Sequence, residues 1–236
     1  MKKLTLLSIC ILICFQIIGQ TIAKPTSLVA TKSLSPVKKQ LNDWVLKKAE
    51  NGISVYTRTA ENSKFNELKV VFQVNTSLSS IVALLNDVEA YPKWIYHCEE
   101  AKILKKNSDK HLIRYQKTAA PWPVDSRDLA VEVNTYQDDK TKIVYQKINA
   151  VPDYTPITED YVRVREFKAL WTLKPLKNGV VQVEYELIAN PAGNIPSWLV
   201  NLAVVEGPYE TSINMKKRLL DAKYQKANVA FIINPE

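Results

Sequence analysis

Apolar and polar residues alternate along much of this chain. Between Phe65 and Thr76, the residues Leu68, Val70, Phe72 and Val74 alternate with Glu67, Lys69, Val71 and Gln73. A period of two with one apolar face predicts a half-buried antiparallel strand. Gly179–Ala189 repeats the pattern, with Val181, Val183, Tyr185 and Leu187 set against Gln182, Glu184 and Glu186. Further strands are predicted at Ile53–Thr59, Cys98–Lys106, Lys110–Thr118, Arg127–Tyr136, Lys142–Ala150 and Tyr161–Leu173. Turn clusters separate them: Glu61-Asn62-Ser63, Asn107-Ser108-Asp109, Asp138-Asp139-Lys140 and Lys177-Asn178-Gly179. Two connections are longer and rich in proline and aromatic residues, Ala119–Ser126 and Pro152–Asp160.

Elsewhere the period lengthens to three or four. Pro36 opens a predicted helix with Leu41, Val45 and Leu46 on one side and Trp44 nearby, stopped by Asn51-Gly52. Ser77 caps a second helix reaching Asn86, with Leu78, Ile81, Val82 and Leu85 on its apolar side. Asp87–Trp94 reads as a short helix interrupted near Pro92. A long final helix follows Pro191-Ala192-Gly193. Its stripe is Trp198, Leu202, Val205, Tyr209, Ile213 and Leu220, and Gly207-Pro208 should kink it without ending it. Strands that follow helices, with one closing helix, predict an α+β fold with an antiparallel sheet.

The first residues change the bookkeeping. Lys2 and Lys3 precede an apolar run, Leu4–Ile18, and then Gly19 and Thr21-Ile22-Ala23. This is the pattern of an export signal, and the run is shorter than the ~20 residues that span a bilayer. We expect a signal peptide at 1–23, a Ser/Thr-rich flexible lead-in at 24–35 and one domain at 36–236. The expected destination is a bacterial periplasm or the medium, with an uncleaved anchor as the other reading. Cys10 and Cys14 would leave with the signal, so Cys98 has no intramolecular partner and the fold must rest on its core. The signal takes two lysines and no acid from a chain of net charge +8, leaving +6. The basic clusters, such as Lys47-Lys48, Lys105-Lys106 and Lys216-Lys217-Arg218, are short and read as solvated faces. Weak, transient contact with an anionic membrane surface fits them. A nucleic-acid partner does not, for want of a basic-aromatic array.

Three strings, in this order, resemble a START domain of the SRPBCC or helix-grip superfamily. The first runs from Leu85-Asn86-Asp87 to Tyr91-Pro92-Lys93-Trp94. The second is Ala120-Pro121-Trp122-Pro123-Val124-Asp125-Ser126-Arg127-Asp128. The third is Asn190-Pro191-Ala192-Gly193-Asn194-Ile195-Pro196-Ser197-Trp198. The resemblance covers about Trp44 to Ala222. It implies a curved antiparallel sheet wrapped around the C-terminal helix, enclosing an apolar lipid- or sterol-sized cavity. It also implies a mobile gating loop, by position Ala119–Ser126. Pockets of this kind are mostly apolar with a few fixed polar groups. The candidate aromatic lining is Trp94, Tyr115, Trp122, Trp171, Tyr185, Trp198 and Tyr209, with Leu202 and Val205 from the helix stripe. Each aromatic is by itself equally ordinary core.

Among polar residues, Arg127-Asp128 matches the family's Arg-Asp motif. Either residue supplies a contact near the cavity mouth, or the two belong to a structural ion pair that anchors the loop. Arg163 and Arg165 lie two apart, so on a regular strand they share a face with Phe167, Ala169 and Trp171. On that reading Arg165 reaches the cavity and holds a lipid head group, with Glu184 or Glu186 as possible partners; a bulge would put both arginines outside.

Catalytic groups are scarce. The chain has two histidines, His97 and His111, which speaks against a three-histidine metal centre or a Ser-His-Asp triad. His97 and Cys98 are adjacent, and neighbours on a strand point to opposite faces. Five single glycines form no phosphate loop. We therefore expect no cofactor, no metal and no enzyme. The expectation is a monomeric carrier for one hydrophobic small molecule, lipid or sterol-like. The competing reading is an SRPBCC cyclase or hydrolase, which needs a perturbed acid or base inside the cavity.

Overall fold

The computed structural model describes residues 43–59, 66–193, 195 and 197–235, with residues 197–203 by backbone alone. The strands are β1 (Val45–Glu50), β2 (Ile53–Thr59), β3 (Asn66–Asn75), β4 (Cys98–Ser108), β5 (His111–Thr118), β6 (Ser126–Gln137), β7 (Val144–Ala150), β8 (Tyr161–Arg163), β9 (Glu166–Pro175) and β10 (Val180–Asn190). They form one curved sheet in the order β1-β2-β3-β10-β9-β7-β6-β5-β4. Every pairing on that path is antiparallel, and β8 adds to β6 in parallel where β7 ends. Helix α1 (Leu78–Asn86) and a 3₁₀ turn (Val88–Lys93) join β3 to β4. Helix α2 (Ser197–Arg218) lies on β2 and β3, and α3 (Ala222–Gln225) packs on α1. This is the α+β helix-grip architecture, with the sheet curved around the terminal helix.

The core lies between the inner face of the sheet and the helices. Leu68, Val70 and Phe72 of β3 and Val181 and Val183 of β10 are buried there, as their alternation requires. Ser77 caps α1 by accepting from Ser80 N at 3.0 Å, which leaves Leu78, Ile81, Val82 and Leu85 buried. The basic last turn of α2, Lys216-Lys217-Arg218, complements the helix dipole. Both sheet edges are blunted. Edge strand β4 carries Lys102, Lys105 and Lys106 and three register shifts, and β1 carries Lys47, Lys48 and one.

Three expectations are corrected. Val45–Glu50 is a strand, not the end of a helix, while residues 36–42 lie outside the described residues. Asn51 and Gly52 both have positive φ, 51° and 71°, and join Glu50 to its partner Ile53. The dipeptide therefore makes a two-residue hairpin turn, a role that Asn-Gly fills as readily as a helix stop. Tyr161–Leu173 is not one strand: it breaks at Val164-Arg165, because the backbone N–H of Val164 donates to Asp128 O at 2.9 Å. Leu220 leaves the helix stripe and is exposed, and Met215 and Leu219 are buried instead. The predicted turn at Glu61-Asn62-Ser63 lies outside the described residues.

Candidate ligand cavity

The sheet and α2 do not meet everywhere. Between them lies a cavity of about 710 Å³, partly open to solvent. Strand periodicity explains its walls, since residues two apart share a face. Gln116 and Thr118 of β5 line it, as do Leu187 and Ala189 of β10. Thr57 and Leu68 add the β2–β3 side, and α2 adds Val204, Val205, Pro208 and Thr211. Gly207 also faces it. A Cβ there would stand 3.4 Å from Tyr96 Cδ1, so the missing side chain leaves room between α2 and the turn Ile95–His97.

The mouth is edged by the loop between β5 and β6. Ala119, Ala120, Pro121 and Val124 line the cavity, and Trp122 at the loop's tip is 91% exposed. The N–H of Ala119 donates to His97 O at 2.9 Å, which ties the loop base to the Ile95–His97 turn. Arg127 fastens the other end. Its Nε donates to Pro191 O at 3.3 Å, its Nη2 to Ala192 O at 3.1 Å, and its Nη1 to Asp125 O. These bonds tie the loop to the segment leading into α2, where Ala192 and Gly193 hold positive φ, 54° and 69°. Burial lowers the Arg127 pKa from its ordinary value.

The next residue points the other way. Asp128 is fully buried and accepts from Arg163 Nε and Nη2, each at 2.8 Å, and from the Tyr115 hydroxyl at 2.8 Å. Arg163 also donates to Pro152 O, Thr155 O and Pro156 O. This network fastens loop 151–160 to the sheet, away from the cavity. Burial alone would raise the Asp128 carboxyl. The hydrogen bonds from Arg163 and Tyr115, with the arginine's charge, outweigh it and hold the group below the ordinary carboxylate range.

The sequence-derived candidates thus fall into separate places. Arg127 and Val205 line the cavity. Asp128 and Tyr115 belong to the ion-pair network behind it, because adjacent strand residues face opposite sides. Arg165 is corrected: it is half-exposed and bonded to Asp153 at 2.7 Å, because the break after Arg163 turns it into solvent. Trp94 is core, edge-on to Tyr91 at 5.4 Å, and Trp171 stacks on Tyr185 at 4.1 Å. Trp122 points into solvent and not into the cavity. Tyr209 faces the β1–β2 hairpin, where Asn51 donates to its hydroxyl at 2.7 Å and Lys48 stands 4.0 Å from its ring. The side chains of Trp198 and Leu202 lie outside the described residues.

The lining residues that escaped are mostly polar or small: Gln116, Thr118, Ala189 and the Ile95–His97 turn. On β5 the inner row carries Arg114, Gln116 and Thr118, and the outer row carries Tyr115. The apolar side chain therefore marks the wrong face. His97 adopts a positive φ of 53° and stacks on Tyr96 at 3.9 Å. Its neighbour Cys98 is buried, which pushes the thiol up to about 11, far from a thiolate nucleophile. Among the described residues no group of His, Cys, Asp and Glu converges as a metal site.

Residues 28–222 match the START domain. The chain belongs to the START family. A Pseudomonas aeruginosa protein, itself uncharacterised, is 35% identical over 169 residues, which span 72% of this chain and 83% of that one. The phosphatidylcholine transfer protein of Mus musculus is 30% identical over 175 residues, 70% of this chain and 78% of its own. The STAR-related lipid transfer protein of Xanthomonas axonopodis superposes with a TM-score of 0.70 at 32% identity, covering 75% of this chain and 99% of that one. Human StAR-related lipid transfer protein 5 shares the fold, with a TM-score of 0.67 at 16% identity over 77% of this chain and 88% of that one. In this START domain most of the expected aromatic lining stands behind the cavity wall, and aliphatic and small polar side chains form its surface.

Proposed function

We propose that this START domain binds one lipid- or sterol-sized apolar molecule between its sheet and α2, shields it from water, and exchanges it through the loop 119–126. The cavity of about 710 Å³, walled by Leu68, Leu187, Ala189, Val204 and Val205, carries this reading. Phosphatidylcholine transfer proteins among the relatives, and the Xanthomonas lipid transfer protein, support it. The driving force is apolar burial, about 25 cal/mol per Å². Association costs roughly 4–15 kcal/mol, so a ligand must bury several hundred Å² to bind well, which a lipid does and a small metabolite does not.

Two finer parts belong to the same proposal. Exposed Trp122 beside the mouth is an aromatic suited to a membrane–water interface, so delivery occurs during transient contact with a bilayer. The leader-like residues 1–23 send the domain out of the cytoplasm, a route that N-terminal sequencing of the protein from its host would test.

The decisive experiment is native mass spectrometry of the protein purified from its own host, beside an Ala189→Trp variant. The wild type should carry a co-purifying lipid. The variant, with an indole filling the space beside Leu187, should carry none and should melt with the delipidated wild type, below the lipid-loaded one. A wild type that holds no lipid, and from which no lipid class displaces an apolar probe, would remove the carrier function.

A further inference from the structure

Polar side chains on the inner row of β5 are joined in a fixed order. Arg114 is only 7% exposed, and its Nη1 donates to Gln116 Oε1 at 3.1 Å. A guanidinium has donors alone, so the Gln116 atom that meets it is the carbonyl oxygen. The amide nitrogen is thereby turned the other way, and it donates to Thr118 Oγ1 at 3.2 Å. That nitrogen does not accept, so the hydroxyl hydrogen of Thr118 points away from Gln116. Thr118 lines the cavity, and among the described residues its hydrogen has no acceptor.

A second hydroxyl reaches the same state from α2. Thr211 lines the cavity, and its Oγ1 accepts from the backbone N–H of Tyr96 at 3.1 Å. Its own hydrogen likewise has no acceptor among the described residues. Ser212 beside it shows the ordinary alternative in a helix, donating back to Pro208 O at 2.8 Å. The two threonines flank one corner. Thr211 bonds the turn Ile95–His97 directly, and Ala119, the residue after Thr118, donates to His97 O at 2.9 Å. Arg127, the cation at the mouth, already donates to Pro191 O and Ala192 O.

Two hydroxyls that accept within the protein and donate outward select a ligand atom that only accepts. The Arg114 charge behind Gln116 polarises the chain of hydrogen bonds and strengthens Thr118 as a donor. A carbonyl oxygen has two lone pairs and no hydrogen, so it suits both threonines at once. A ligand alcohol brings a hydrogen of its own, and the oxygens here, Gln116 Oε1, Thr118 Oγ1 and Thr211 Oγ1, already accept. Two neutral hydroxyls do not compensate the desolvation of an ionised group.

We propose that the ligand carries a neutral carbonyl, an ester or a ketone, whose oxygen sits at the corner of Thr118 and Thr211 while its hydrocarbon lies against Leu68, Leu187 and Val204. This rests on the lipid-carrier reading and names the functional group that the wall selects.

The test pairs lipids that differ at the carbonyl alone: dioleoylglycerol with its dioleyl diether, and cholestanone with cholestanol. Each is titrated against the delipidated protein by displacement of a fluorescent apolar probe. At least one carbonyl lipid should bind about threefold or more tighter than its partner, the scale of a net neutral hydrogen bond. Labelled with carbon-13 and bound, its carbonyl should absorb in the infrared below its frequency in hexane. Thr118→Val, which keeps the shape and removes the hydroxyl, should erase most of both differences, and Thr118→Ser should retain them. Equal affinity within both pairs, or a carbonyl stretch at its hexane frequency, would overturn the assignment and leave the carrier reading standing. So would Thr118→Val that changes neither readout. Binding of none of the four lipids, with no displacement by any other lipid class, would sink the carrier reading itself.

Discussion

The Asp128 carboxylate receives three hydrogen bonds while fully buried, two of them from Arg163. Such a pair stabilises little against an apolar replacement of both partners, but removing one partner strands the other charge in the interior. Asp128→Asn should therefore cost about 3–5 kcal/mol in urea unfolding, well above an ordinary surface change. Acid should act on the same group. Its folded-state pKa lies below the unfolded value of 3.8. The stabilisation is thus complete above that value and is lost as pH falls through the folded pKa. The wild type should lose stability on that descent and Asp128→Asn should lose less, as unfolding curves at stepped pH would show. No difference between their acid limbs would mean that Asp128 is not the group that titrates.

At the scale of elements, the loop 119–126 is held by its ends and free at its tip. Arg127 bonds it to Pro191 and Ala192 on the way into α2, and Ala119 bonds it to the Ile95–His97 turn. Those ties cross the cavity mouth, so they set how easily the mouth opens. Arg127→Met removes bonds worth about 1.5–3 kcal/mol each for a charged donor. Lipid exchange, followed by transfer of a fluorescent analogue between vesicles, should then quicken by about tenfold or more. A bis-maleimide bridge from Val124→Cys to Val204→Cys should slow it, and exchange unchanged in both variants would take the gate out of the mechanism. The C-terminal segment is fastened differently. Gln137 bonds Ile233 through both N–H and C=O, and Asn234 pairs with Ser79, so the chain end closes over α1 by paired polar contacts.

At the scale of the whole molecule, Trp122 is the exposed tryptophan among the described residues, and it breaks the polar surface beside the cavity. Trp122 on lipid vesicles should move from water to the interface, and its emission should shift to shorter wavelength on adding anionic vesicles. Of the other tryptophans whose side chains are described, Trp94 and Trp171 are buried and should not respond, and half-buried Trp44 is covered by Arg58 and Lys69, so the shift is read against Trp122→Ala. Trp122→Ala should abolish the shift and weaken vesicle binding. The positive charge, +8 for the full sequence and +6 without the two leader lysines, adds attraction that salt screens, so binding should also fall as ionic strength rises. A shift that survives Trp122→Ala would place the membrane contact elsewhere.

Local pattern by itself determined most of the elements. Strict alternation in β3 and β10, the Ser77 cap and the Asn178-Gly179 turn are decisions made within a few residues, and the START-like strings placed them in one order. The tertiary structure decided which face of each strand is inside. The same alternation serves Tyr115 facing outward and Arg114 facing inward, and only the partners across the sheet distinguish them. It also decided that Val45–Glu50 pairs with β2, since Asn-Gly turns a hairpin as well as it ends a helix. Asp128 finds Arg163 across 35 positions of sequence, and the N–H of Val164 beside it bonds the Asp128 carbonyl, which broke the predicted strand. The cavity is likewise a property of distance: it is the space left where a curved sheet and a helix diverge, and no run of residues encodes a gap that its own side chains do not fill.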